Sequence, residues 1–137
     1  LGARTRTDKD IFYNTKGGLL RAERELAAAA VSRFNGCIFC ASVHARFAIH
    51  HLKRADEVNV LLEEGIPSPL RGRTGAVVAS AAALSQTPPA FQAAGAATLL
   101  EAGFDVQEQV DLVLSAAFFN WANRLMLSIG EPSPAAA

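Results

Sequence analysis

Cys37-Ile-Phe-Cys40-Ala-Ser-Val-His44 contains the only two cysteines of the 137-residue chain and a histidine four residues past the second. Thiols three residues apart can close and reopen as a disulfide. On a helix, an imidazole at i+4 shares the face of the sulfur. This is the layout of a thiol redox site. The thiolate is the nucleophile, and CxxC cysteines at helix N-termini can have pKa values lowered to roughly 3.5–7.5. Cys37 falls where a helix should start, and there unpaired N–H groups and the macrodipole favour negative charge. Cys40 is still in the first turn. His44 can accept or return a proton near neutral pH. An activated sulfur is expected.

The elements that must position these groups are helical. Apolar spacing predicts six helices, at about 18–34, 37–53, 55–64, 69–84, 88–102 and 105–129. In the first, Leu19, Ala22, Leu26, Ala29, Ala30 and Phe34 form an apolar face, with Arg21, Arg24 and Arg33 off it. Asn35-Gly36 should stop it, because both residues tolerate a left-handed helix end. The second then begins at the CxxC, with Cys40, Val43, His44, Phe47 and His51 on its inner face. Ser68-Pro69 should open the fourth and Thr87-Pro88-Pro89 the fifth. Asp105 and Glu108 have the spacing of a capping box for the last and longest helix. Its stripe is Val106, Val110, Val113, Leu114, Ala117, Phe118, Trp121 and Leu125.

Counting along this hairpin finds a third partner. At about 1.5 Å per residue, Glu25 lies about 15 Å up the first helix from the turn, His44 about 12 Å up the second, and Cys40 about 6 Å up. The order along the seam is Glu25, His44, Cys40. A carboxylate that orients an imidazole facing a thiol is the logic of an activated nucleophile.

Composition sets the bounds. Half the residues are apolar, 19% are charged and the formal net charge is zero. The alanine-rich pattern favours packed helices in a single domain, with its core at 18–129 and a flexible tail at 130–137. A balanced charge gives no footprint for nucleic acid. No uninterrupted apolar stretch of ~20 residues is evident, so no membrane span is expected. The start has no apolar signal segment and no initiator Met, so residues are expected to precede Leu1. Two cysteines without such a segment suggest cytoplasmic thiol chemistry. Helices this apolar suggest a homo-oligomer.

Glu25, the alanine-rich helix and Cys37-x-x-Cys40-x-x-x-His44 together resemble the alkylhydroperoxidase D / carboxymuconolactone decarboxylase superfamily, in its peroxidase-related branch. The resemblance is strong over 18–65 and looser over the rest, which includes Phe118-Phe-Asn-Trp-Ala-Asn-Arg124. It implies an all-α helical bundle, usually a trimer or hexamer, that works without a cofactor as a thiol-dependent peroxidase. By this likeness Cys40 attacks an organic hydroperoxide, Cys37 resolves the sulfenic acid to a Cys37–Cys40 disulfide, and Glu25 and His44 relay the proton. A dithiol reductant protein, lipoylated or thioredoxin-like, would restore the thiols by attacking the more exposed Cys37. One departure is Phe39, where some members carry a second relay histidine.

Other readings compete. The cysteines could be buried thiols that pack as small hydrophobes. The disulfide could serve a redox sensor or a disulfide reductase with little peroxide turnover. A lactone decarboxylase on the same fold would act without the cysteine pair. Zinc is disfavoured, since Cys37, Cys40 and His44 lack the second ligand pair that structural sites bring from another segment. His50 reads as solvated and His51 as marginal to the site. The Phe118-Phe119/Trp121 cluster could wall an apolar pocket for an alkyl hydroperoxide.

Overall fold

The computed structural model describes residues 1–132. Seven helices follow one another: α1 (Gly2–Tyr13), α2 (Arg21–Asn35), α3 (Ile38–Leu52), α4 (Ala55–Glu64), α5 (Gly72–Ser85), α6 (Ala93–Glu101) and α7 (Val106–Ile129). No strand occurs among the described residues. Six of the helices match the apolar spacing. The cysteine helix is nevertheless the third and not the second, because α1 precedes the expected first. α1 has no apolar stripe to betray it. Its one buried residue is Phe12, the rest of the helix being mainly charged, polar or small. The helix starts expected at Pro69 and Pro88 come later, at Gly72 and Ala93.

The core is built around α2. Periodicity alone predicts one buried face, yet every residue from Ala22 to Ser32 is buried. α1, α3, α4, α5 and α7 all pack against this helix. The run Ala27–Ala30 is fully enclosed. Small side chains let neighbouring helices approach closely, and alanine is also the best helix former. Charged residues can enter such an interior only with partners. Arg24, expected off the apolar face, is buried and donates to the carbonyls of Leu19 (2.7 Å), Ile11 (2.8 Å), Asn14 (2.6 Å) and Gly17 (3.2 Å). This guanidinium straps the α1–α2 connection to the core.

The α2–α3 hairpin turns as expected. Gly36 takes a left-handed φ of 79°, and Cys37 N–H reaches back to Ser32 O at 3.0 Å. A polar ladder holds this turn against α7. Asn35 Nδ2 donates to the side-chain oxygens of Asn120 (2.9 Å) and Asn123 (3.1 Å), and Asn123 Nδ2 donates to Ser32 Oγ (3.0 Å).

α7 begins with the expected capping box, Asp105 with Glu108. Its core face is a different one from the apolar stripe. Leu112, Ser115, Ala116, Phe119, Asn120, Ala122 and Asn123 point inward, while Val106, Val110, Leu114, Trp121 and Leu125 are exposed. The inward face needs small residues against the alanines of α2 and amides for the ladder, so the bulky apolar residues lie outside. By length and composition alone α7 could also cross a membrane, its best window having a mean hydropathy of 1.3. No wholly apolar run of that length occurs in it, because Ser115, Asn120, Asn123 and Arg124 interrupt the helix. Of the tail expected to be flexible, residues 133–137 lie outside the described residues. Glu131, by contrast, turns back onto α3.

Candidate functional site

Antiparallel packing of α2 and α3 brings the predicted seam together. His44 Nδ1 lies 2.6 Å from Glu25 Oε2. A carboxylate only accepts, so Nδ1 donates to it, and in the neutral ring that leaves Nε2 as the acceptor. The other oxygen, Glu25 Oε1, accepts from Arg21 Nε at 2.7 Å and Nη2 at 2.6 Å. Glu25 is 1% exposed, and a charge so deep needs these partners. Arg21 is itself placed by stacking, 4.0 Å over the Tyr13 ring and 5.7 Å from that of Phe47.

His44, Glu25 and Cys40 open on one cavity of about 220 Å³. His44 and Cys40 share its wall, and no hydrogen bond joins them directly among the described residues. Phe119 lies edge-on to the imidazole at 4.0 Å between centroids, and Phe12 lies at 5.6 Å on a tilt. Phe119 thus walls the cavity as expected. Trp121 is nearly half exposed and stands outside it. His50 and His51 are both exposed toward the end of α3 and neither lines the cavity, while His51 lies within reach of the charges of Arg21 and Glu25. Desolvation and the positive charge of Arg21 hold His51 below its ordinary pKa.

The two cysteines are unbridged and differ in surroundings. Cys40 is 6% exposed and faces the cavity with His44, whereas Cys37 is 0% exposed. Cys37 lines a separate groove of about 310 Å³ with Arg33, Ile38, Ser42 and Leu62. The expectation that Cys37 is the more exposed sulfur is therefore wrong, because the α2–α3 turn tucks it beneath the helix end. Its expected ease of ionisation is also reversed. Burial first, then hydrogen bonds with Cys40 and Glu131, push the Cys37 thiol up to about 12. The helix N-terminus favours a thiolate, but desolvation outweighs it here.

Three contributors escape a reading of the motif. Arg21 carries a recoverable signal, a cation four residues before a carboxylate on one helix. α1 supplies Arg4, Asp8, Phe12 and Tyr13 to the cavity, with no pattern that predicts it. Glu131 Oε1 accepts from Phe39 N–H at 3.1 Å, at the start of α3, from a segment whose composition suggests only a tail.

The sequence profile of the carboxymuconolactone decarboxylase family matches residues 1–68, the stretch that carries α1, Glu25, the CxxC and His44. No curated protein sequence matches the chain. Solved structures do. An uncharacterised peroxidase-related protein from Silicibacter sp. TM1040 superposes with a TM-score of 0.85 at 23% identity, over 98% of this chain and 70% of that one. An alkylhydroperoxidase AhpD core, an uncharacterised peroxidase-related protein from Ralstonia eutropha JMP134, gives 0.86 at 22%, with coverages of 98% and 70%. A protein of unknown function from Agrobacterium tumefaciens, suggested to act in antioxidant defence, gives 0.75 at 21%, with 98% and 90% covered. At these identities the likeness establishes a shared fold.

Proposed function

We propose that this chain, which belongs to the alkylhydroperoxidase D / carboxymuconolactone decarboxylase superfamily, is a thiol-dependent peroxidase. The observation that carries the reading is the 2.6 Å contact of Glu25 with His44 on the wall of the cavity that Cys40 enters. His44 Nε2 is the base that takes the Cys40 proton, and Glu25, held by Arg21, stabilises the imidazolium that forms. The Cys40 thiolate attacks the terminal oxygen of a hydroperoxide. The O–O bond breaks, the alkoxide leaves with the proton from His44 as an alcohol, and Cys40 becomes a sulfenic acid. Cys37 attacks that sulfur, and water leaves as the disulfide forms. A dithiol protein, lipoylated or thioredoxin-like, then reduces the bridge through a mixed disulfide.

A cavity of about 220 Å³ walled by Phe12, Phe39, Phe47 and Phe119 suits a small organic hydroperoxide. The exposed apolar stripe of α7 supports a homo-oligomer, a trimer or hexamer, that would cover it. A cytoplasmic setting would keep both thiols reduced between cycles.

The test is consumption of cumene hydroperoxide coupled to a dithiol donor. Wild type should turn over, and Cys40→Ser and Cys37→Ser should not. Undiminished turnover in both variants would overturn the reading. Full burial of Cys37 favours a second reading, a redox sensor whose disulfide forms but is reduced slowly. That protein would consume one equivalent of peroxide and then stop even with donor in excess.

A further inference from the structure

We propose that Glu131 is the base of the disulfide-forming step, taking the Cys37 proton as that sulfur attacks oxidised Cys40. The assignment rests on the peroxidase reading above. That reading gives Cys40 a relay and leaves Cys37 without one. Glu25 and His44 line the Cys40 cavity, while Cys37 faces the groove on the other side of the helix start. A fully buried thiol that holds its proton is a poor nucleophile at neutral pH, so the resolving step needs a base of its own.

The geometry supplies one. α7 ends at Ile129, and Gly130, with φ at +111°, lets the chain double back. Glu131 is thereby brought to the first turn of α3. Its Oε1 accepts from Phe39 N–H at 3.1 Å, and Phe39 stands between the two cysteines. Two residues from Cys37, this carboxylate also contributes to holding the Cys37 proton on. The charged and titratable groups around Cys37 are Cys40 on α3 and Glu131 beyond α7, which act on its proton, and Arg33 at the end of α2, which shares its groove. Arg33 cannot accept a proton, and Cys40 is the sulfur under attack. From α4, Leu62 adds only a carbonyl, which already accepts from Arg33 Nε at 2.9 Å.

The step balances without an outside reagent. The Cys37 S–H bond breaks and its proton passes to the Glu131 carboxylate. The S–S bond forms as the Cys40 S–O bond breaks. The hydroxide that leaves takes the proton from Glu131 and departs as water, so the carboxylate is restored.

Glutamine at 131 separates this role from simple capping. Its amide oxygen can still accept from Phe39 N–H, but it cannot take a proton. The experiment treats the full chain at pH 7 with one equivalent of cumene hydroperoxide. Rapid quenching and mass spectrometry then follow dimedone-trapped Cys40 sulfenate and the Cys37–Cys40 disulfide. Glu131→Gln should form sulfenate at the wild-type rate and convert it to disulfide about 10²-fold more slowly. The residual rate should climb with pH as Cys37 ionises unaided, and Glu131→Asp should recover much of the loss. Wild-type disulfide kinetics in Glu131→Gln would overturn the assignment and leave the peroxidase reading standing. Absence of any Cys40 sulfenate in wild type would end both.

Discussion

Two carboxylates sit two residues apart on α2, both buried: Glu23 is 3% exposed and Glu25 is 1%. Each is held by an arginine, and their surroundings differ. Glu23 takes Arg73 Nε at 2.7 Å and Nη2 at 3.0 Å, and the same guanidinium reaches Glu108 at 2.9 Å. Both oxygens of Glu23 are spent on one cation. Hydrogen bonds to Glu23 and Glu108 hold the Arg73 guanidinium above its ordinary pKa. Glu108 is in turn tied into the α7 cap. This is a closed clasp among α2, α5 and α7. Glu25 gives only one oxygen to its arginine and turns the other to an imidazole on a cavity wall. Burial and charge pairing are common to both. What sets Glu25 apart is a titratable partner on the wall of a cavity that Cys40 also lines.

Substitutions can break or sharpen that contrast. The largest effect is expected at Glu25. Glu25→Gln should slow sulfenate formation at Cys40 by about 10²–10⁴-fold while the helical circular dichroism persists. Stopped-flow with excess hydroperoxide measures it, and a rate within a few-fold of wild type would erase the distinction. Glu23→Ala should do the reverse. It removes one side of the clasp and should cost about 2–3 kcal/mol in denaturant unfolding, with the sulfenate rate per folded molecule unchanged. Arg21→Met should fall between the two, with a loss of about tenfold in rate, since it frees the Glu25 oxygen that Arg21 holds but leaves the carboxylate on His44.

The smallest effect separates the two sulfurs. Unfolded Cys37 ionises near its ordinary 9.0 and folded Cys37 at about 12. Between those values the folded state holds the extra proton, so stability falls as pH rises through the window. Cys37→Ala should flatten that slope in thermal melts taken from pH 9 upward.

The placement of the candidate site residues was more legible in the sequence than their housing. The CxxC, His44 and Glu25 follow from helical spacing and one hairpin, both local properties. Asn35-Gly36 and the Asp105/Glu108 cap were readable for the same reason. α1 was not, because a helix whose one buried residue is Phe12 has no periodic signal. The enclosure of α2 was hidden as well. Amphipathicity assumes one wet face, and a central helix has none. Arg24 therefore reads as a charge off the apolar face, although it is buried and pairs with Asp111 on a distant segment. On α7 the apolar count pointed to the wrong face, since inward selection there is for size and amides. Glu131 lay in a stretch whose prolines and alanines suggest no contact, and only the fold brings it to α3.

The two cysteines line different cavities at one helix end, Cys40 the aromatic-walled one and Cys37 the groove with Ile38 and Leu62. On the peroxidase reading, oxidant and electron donor then need not queue at the same door. A large donor could dock over the groove while a small peroxide occupies the cavity, so raising one should not competitively suppress the other. Steady-state rates varied in both reactants would give parallel reciprocal plots without crossed substrate inhibition. Electrons would enter on one side of the subunit and leave on the other, across a single turn of helix.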